Sequence, residues 1–226
     1  MYSIRKISEN IAGSLKDELK LEQEKYEVIE YGLFAFINMA SSILLVALFG
    51  AIFGVFLESL IISFTMAILR KASGGAHAST ELNCAIIGVI ISVIPAIILT
   101  NINMDIKNIM LISFFIFFIS AYLIYKLAPV DSPNKPIKSE KKIKRLKRGS
   151  LITLGIYMML VIINVLLSIK VNATIFKIYS LCISFGVLWQ SFTLTKSGHI
   201  VLNLIDSFFT KVLGNKGGNC NEKIKQ

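Results

Sequence analysis

The chain has 226 residues, of which 54% are hydrophobic and only 17% charged, with a net charge of +10. A soluble domain of this size carries more charge, and the apolar residues here fall in long blocks, the mark of membrane spans rather than a globular core. The charge would suit a nucleic-acid binder but the hydropathy does not, so the basic residues are read first as topology signals.

Residues 1–30 are charged throughout, with no apolar stretch before a small-residue cleavage site, so no cleavable signal peptide is expected. Ile4, Ile7, Ile11, Leu15 and Leu19 share one helical face, with basic and acidic residues around the rest. This predicts an amphipathic helix on the membrane surface, against the alternative of a solvent helix docked on the chain's own loops.

Between Phe34 and Leu69 the only charge is Glu58. One helix of that length would run about 54 Å, too long for a ~30 Å hydrocarbon core, so two spans are required. Gly50 and Gly54 offer the turn, giving about Tyr31–Phe49 and Ala51–Leu69. Further spans are expected at Leu82–Leu99, Ile109–Tyr125, Leu151–Ile169 and Ile175–Leu194, making six in an all-α polytopic membrane protein. Val201, Leu204, Ile205, Phe208, Val212 and Leu213 then predict a second surface helix before a polar tail. The organisation read this way is a surface segment over 1–30, a membrane domain over 31–196 and a C-terminal helix and tail over 197–226.

With odd spans leaving the cytoplasm, 21 of the 24 Lys and Arg residues fall on the inner side, and only Lys107, Lys170 and Lys177 fall outside. The positive-inside rule therefore places both termini in the cytoplasm. Three cysteines, Cys84, Cys182 and Cys220, leave one unpaired in any arrangement, and no disulfide is expected.

The chemistry-bearing residues concentrate in Arg70-Lys71-Ala72-Ser73-Gly74-Gly75-Ala76-His77, with Cys84 seven residues on. Ser79 or Thr80 is placed to cap the third span, so Cys84 falls at its start, where the helix dipole favours a thiolate. The plain alternative is a small hydrophobe packed between helices. On one unbroken helix His77 and Cys84 would stand about 10.5 Å apart along the axis. His77 must therefore sit on a turn that folds back, which Gly74 and Gly75 permit, or else be an ordinary interfacial histidine. Two ligands with no further Cys/His pair nearby give no metal site, and no cofactor is called for.

Cys182 reads as packing within the last span, and His199 borders the C-terminal helix. Glu58 is open between an intramembrane functional acid and a neutral hydrogen-bond partner in packing. Three of the four prolines fall in Ala128-Pro129-Val130-Asp131-Ser132-Pro133-Asn134-Lys135-Pro136-Ile137, an extended turn followed by the basic run from Lys138 to Arg148. That run satisfies topology and touches anionic lipid, or it receives an acidic peptide.

Arg70-x4-Gly75-x-His77-Ala78-x5-Cys84, with Ala128-Pro129-x-Asp131-x2-Asn134-Lys135-Pro136, resembles the accessory gene regulator protein B (AgrB) family, and the likeness extends to length, span number and motif order. The resemblance implies an integral-membrane cysteine endopeptidase, a thiol protease of Gram-positive quorum sensing. Cys84 would be the nucleophile and His77 its acid/base partner, with Arg70, Gly75 and Asp131 at further motif positions. The implied substrate is an AgrD-like propeptide, whose acidic tail would meet Lys135, Lys138, Lys141 and Lys142. Release of that tail would leave an acyl-enzyme that cyclises to a thiolactone or lactone autoinducing peptide. Membrane lipid is the second expected partner, a homo-oligomer is left open, and nucleic acid is not expected. A small peptide transporter or exporter with Glu58 in its path, and a non-catalytic membrane adaptor, are the competing readings.

Overall fold

The computed structural model describes residues 4–75, 78–130 and 139–212. Among these the chain is all-helical: α1 Ile4–Leu19, α2 Gln23–Ile52, α3 Phe56–Ser73, α4 Glu81–Asn101, α5 Ile106–Leu127, α6 Glu140–Val171, α7 Thr174–Phe192 and α8 Lys196–Val212. Five of these, α2, α4, α5, α6 and α7, are long and apolar enough to cross a membrane. The protein is a polytopic membrane protein. The segment expected as the second span is α3, whose 18 residues carry Glu58, Arg70 and Lys71, whereas each of the other five contains an 18-residue apolar stretch with at most two charges.

The chain divides into two compact units, Met1–Leu45 and Val46–Gln226. In the first, α1 buries Ser8 and Ala12 while Ile7, Ile11 and Leu19 of its expected apolar face are exposed, as a helix lying on lipid requires. Lys20 adopts the left-handed conformation that ends α1 (φ 48), and Lys16 Nζ donates to Gln23 Oε1 at 2.8 Å across the turn into α2.

In the second unit the break between α2 and α3 falls at Gly54, in the left-handed region at φ 69, with Val55 N–H donating to Gly50 O at 2.8 Å. Gly50 stays inside α2, where it lies against Ser59. α7 is the central helix: it packs on α3, α4, α5 and α6 and buries Ser180, Leu181, Cys182, Ile183, Ser184, Gly186, Val187, Gln190 and Ser191. Ser180 and Ser184 bond back to their own helix, the latter from Oγ to Ser180 O at 2.8 Å, and Ser113 Oγ meets Ser184 Oγ at 2.9 Å between α5 and α7. The outward faces are apolar, with Phe114, Phe115 and Phe118 of α5 and Ile152, Ile156 and Met159 of α6 all exposed.

One expectation changes here: the basic run after the proline-rich turn is helical from Glu140, the first part of α6, because Lys, Arg and Glu are good helix formers and nothing interrupts them before Leu151. α8 is the expected second amphipathic helix, and its apolar residues Leu204, Phe208 and Val212 face outward as those of α1 do. Its buried side is Gly198, Leu202 and Asp206, with Leu202 packed against Ile87 and Ile91 of α4.

Gly186 marks the closest approach of α7 to α3: a Cβ there would meet Thr65 Cβ at 2.8 Å and Ile62 O at 3.2 Å. Small residues at such crossings let helices approach where lipid supplies no hydrophobic drive. Gly186→Leu should therefore destabilise the protein by about 1–3 kcal/mol or more, whereas Gly155→Ala, where a Cβ meets nothing within 4 Å, should be neutral or stabilising. Thermal unfolding of the two variants in detergent, read against the parent, checks the contrast.

Candidate active site

The residues singled out by the sequence gather at one end of the bundle, where α3 ends and α4 begins. Arg70 lies in the last turn of α3, half-buried, with its Nε sealed from solvent. Its guanidinium is within Coulombic reach of the Cys84 thiol. Cys84 is half-buried just past the first turn of α4. Thr80 is the N-cap expected there: its Oγ1 accepts the Asn83 N–H at 3.2 Å, and its carbonyl accepts the Cys84 N–H at 3.0 Å. These two N–H groups are committed to the cap and are not available to stabilise an oxyanion.

The glycines do what the motif requires. Gly74 N–H closes α3 on Arg70 O at 2.9 Å, and the backbone then turns at φ 71 and ψ −153, a region almost restricted to glycine. Gly75 follows at φ 132. A Cβ on Gly74 would strike the Val130 carbonyl, and one on Gly75 would meet Thr193 Oγ1 at 2.8 Å and Gln190 Nε2 at 3.3 Å. Gly74 pairs in parallel with Val130, whose N–H donates to Ser73 O at 2.9 Å. The glycine-rich segment and the start of the proline-rich turn, separate motifs in the sequence, are thus joined through backbone.

Sequence reasoning missed the side chains that hold this end together. Gln190, in the last turn of α7 and almost fully buried, donates from Nε2 to Gly74 O at 2.8 Å and to Ser73 Oγ at 3.1 Å. Asn83, also fully buried, donates from Nδ2 to Asp206 Oδ1 at 2.8 Å and to Thr210 Oγ1 at 2.9 Å on α8. A lone carboxamide in an apolar span was the available signal for Gln190, since a polar group there needs a partner. Nothing local in the sequence names that partner.

The remaining candidates are dispersed or lie elsewhere. Lys141 and Lys142 are exposed in the first turn of α6. Cys182 is fully buried with Val55, Ile62, Val93 and Ala96, which is the packing role expected of it. Glu58 sits in the first turn of α3, the end of that helix opposite Arg70. His199 falls inside α8, its N–H bonded to Thr195 O at 3.0 Å. His77, Asp131, Lys135, Lys138 and Cys220 lie outside the described residues.

Gln190→Leu keeps the volume and removes the donor from a buried carbonyl. It should cost about 1–3 kcal/mol of stability. The loss should also expose the Gly74–Gly75 peptide to limited proteolysis, which mass mapping of the fragments would detect.

Comparison with known proteins assigns a family. The sequence profile of the Accessory gene regulator B family matches residues 8–194. AgrB-like protein 2 of Clostridium perfringens strain 13 is 40% identical over 213 residues, 93% of this chain and 100% of that protein. An AgrB-like protein of Listeria innocua is 29% identical over 160 residues, 68% of this chain and 76% of its own length. No solved structure matches the chain. With a family profile spanning all but the C-terminal helix and a relative matched end to end, the chain belongs to the accessory gene regulator B family.

Proposed function

We propose that this protein is a membrane cysteine endopeptidase of a quorum-sensing system, acting on an AgrD-like propeptide. The observation that supports the reading is the half-buried Cys84 at the capped start of α4, at the end of the bundle where α3 closes on Arg70 and Gln190 braces the glycine turn. The two glycines permit the fold-back after α3 that the spacing of His77 and Cys84 requires for the two to act together.

In this mechanism the Cys84 thiolate attacks the carbonyl at the end of the peptide core. The carbonyl oxygen takes up the charge, and Arg70, in the last turn of α3, supplies positive charge at this end of the bundle. His77 gives its proton to the departing amine, so the acidic tail leaves and a thioester to Cys84 remains. The core's own thiol or hydroxyl then attacks that thioester, losing its proton to His77, and Cys84 departs as the thiolate. The exposed lysines that open α6, Lys141 and Lys142, with Lys135 and Lys138 before them, attract the acidic tail. Gly75 supports the turn, and Asp131 is a further position of the family motif. The amphipathic leader of the substrate lies on the same membrane surface as α1.

The decisive experiment is release of the acidic tail from an AgrD-like propeptide by the purified protein in liposomes. Cys84→Ala should abolish release, and His77→Ala should slow it by about 10²–10⁴-fold. Cys182→Ala and Cys220→Ala should still cleave. A ring-incompetent substrate should leave an acyl adduct on Cys84, detectable by mass. Cleavage by Cys84→Ala at the parent rate would overturn the reading in favour of a transporter or adaptor.

The proposed topology puts both termini and the site in the cytoplasm, from the 21-to-3 division of basic residues. With Lys107 and Ser139 each changed to Cys, an impermeant thiol reagent applied to intact cells should label the first and spare the second. The reverse pattern would refute it.

A further inference from the structure

The segment that carries Cys84 is gripped from a helix outside the family match. Asp206 lies on the buried face of α8, and residues 8–194 are those that the family profile covers. Its carboxylate makes two bonds at once. Oδ2 accepts the Ser79 N–H at 3.1 Å, and Oδ1 accepts Asn83 Nδ2 at 2.8 Å. Asn83 Nδ2 also reaches Asp206 O at 3.3 Å and Thr210 Oγ1 at 2.9 Å, and Thr210 Oγ1 in turn donates to Asp206 O at 2.8 Å. Asn83 is fully buried and Asp206 nearly so.

The two groups held by the carboxylate bracket the Thr80 cap. Ser79 precedes it, two residues after His77, and Asn83 immediately precedes Cys84. The Asn83 bond is buried and the Ser79 bond part-buried, and each has a carboxylate acceptor, so the Asn83 arm is the one that is expensive to break. Beside them, Leu202 anchors α8 to Ile87 and Ile91 of α4, so the clamp is fastened to the helix it orients.

We infer that Asp206 is a positioning residue for the cysteine site: through Ser79 and Asn83 it sets the direction from which α4 presents Cys84. Asp206 takes no part in the bond-making steps. This rests on the peptidase reading above. Because a displacement of about 1 Å at a reacting group costs on the order of 10²-fold in rate, the effect falls on turnover rather than on capture of the peptide.

The test uses the full chain in liposomes with Cys182→Ala and Cys220→Ser, so that Cys84 is the only thiol. Three quantities are read: kcat and KM for tail release, the rate of Cys84 alkylation by iodoacetamide, and the thermal midpoint. Asp206→Ala should lower kcat by about 10–100-fold with KM within about twofold, and should change the alkylation rate by about threefold or more. Asn83→Asp and Asp206→Asn should each lose turnover. The double exchange, Asn83→Asp with Asp206→Asn, should restore most of it, because the carboxamide now donates from α8 to the carboxylate on α4 while its oxygen still accepts the Ser79 N–H.

Parent-like kcat in Asp206→Ala would overturn the inference, as would a loss confined to KM. If Asp206→Ala does not fold, the exchanged pair decides: recovered turnover supports the clamp, and no recovery in a folded double variant refutes it. If the parent itself releases no tail, the peptidase reading fails separately. The alkylation rates then stand alone, and an unchanged rate in the folded Asp206 variants would refute the clamp.

Discussion

The close approach of α7 to α3 at Gly186 is the constraint on which the rest of the structure depends. In lipid, apolar side chains gain nothing by leaving one another's company for the bilayer, so helices associate through shape and polar contacts. α7 meets that condition with a buried face of small residues: Ser180, Ser184 and Gly186, then Gln190 and Ser191. The hydroxyls of Ser180 and Ser184 are satisfied within their own helix, so that part of the face can press against its neighbours with its polar atoms bonded.

That approach has a direct consequence four residues further on. With α7 held against Thr65 and Ile62, Gln190 arrives at the end of α3 with its amide aimed at the Gly74 carbonyl. A helix C-terminus normally leaves such carbonyls to water or to a cap. Here a side chain from another helix supplies the donor, and the Val130 N–H supplies a second for Ser73. The turn that leads toward α4 is therefore specified by three elements distant in sequence. Any side chain at Gly74 would collide with the Val130 carbonyl, so the fold and the motif share one steric requirement.

The polar groups of the described residues are distributed unequally along the bundle. One end carries Arg70, Ser73, Asn83, Gln190 and Asp206 in buried or half-buried positions, most of them bonded to one another across helices. The middle is closed by apolar packing around Leu69, Ile124, Leu154 and Val187. Buried polar networks in membrane proteins are costly unless satisfied, and they confer a defined geometry when they are.

The sequence by itself determined the number and order of the helices, the membrane class, and the proximity in chain of Arg70, the glycines and Cys84. Hydropathy and helical period are local, so Thr80 as a cap, a glycine break within 50–54 and Cys182 as packing could be read without tertiary information, although the break falls at Gly54 rather than at Gly50, where the sequence placed it. The face that α8 buries could not be read so. Its strongest apolar stripe, Leu204, Phe208 and Val212, faces outward, because a bilayer rewards apolar residues outside while the protein interior here has polar groups to satisfy. Only the tertiary structure decided that Asn83 meets Asp206, 123 residues away, and that Gln190 meets Gly74, 116 residues away. Their pairing depends on where whole helices come to rest. No periodicity encodes that, and helix packing sets it through the volumes at positions such as Gly186 and Thr65.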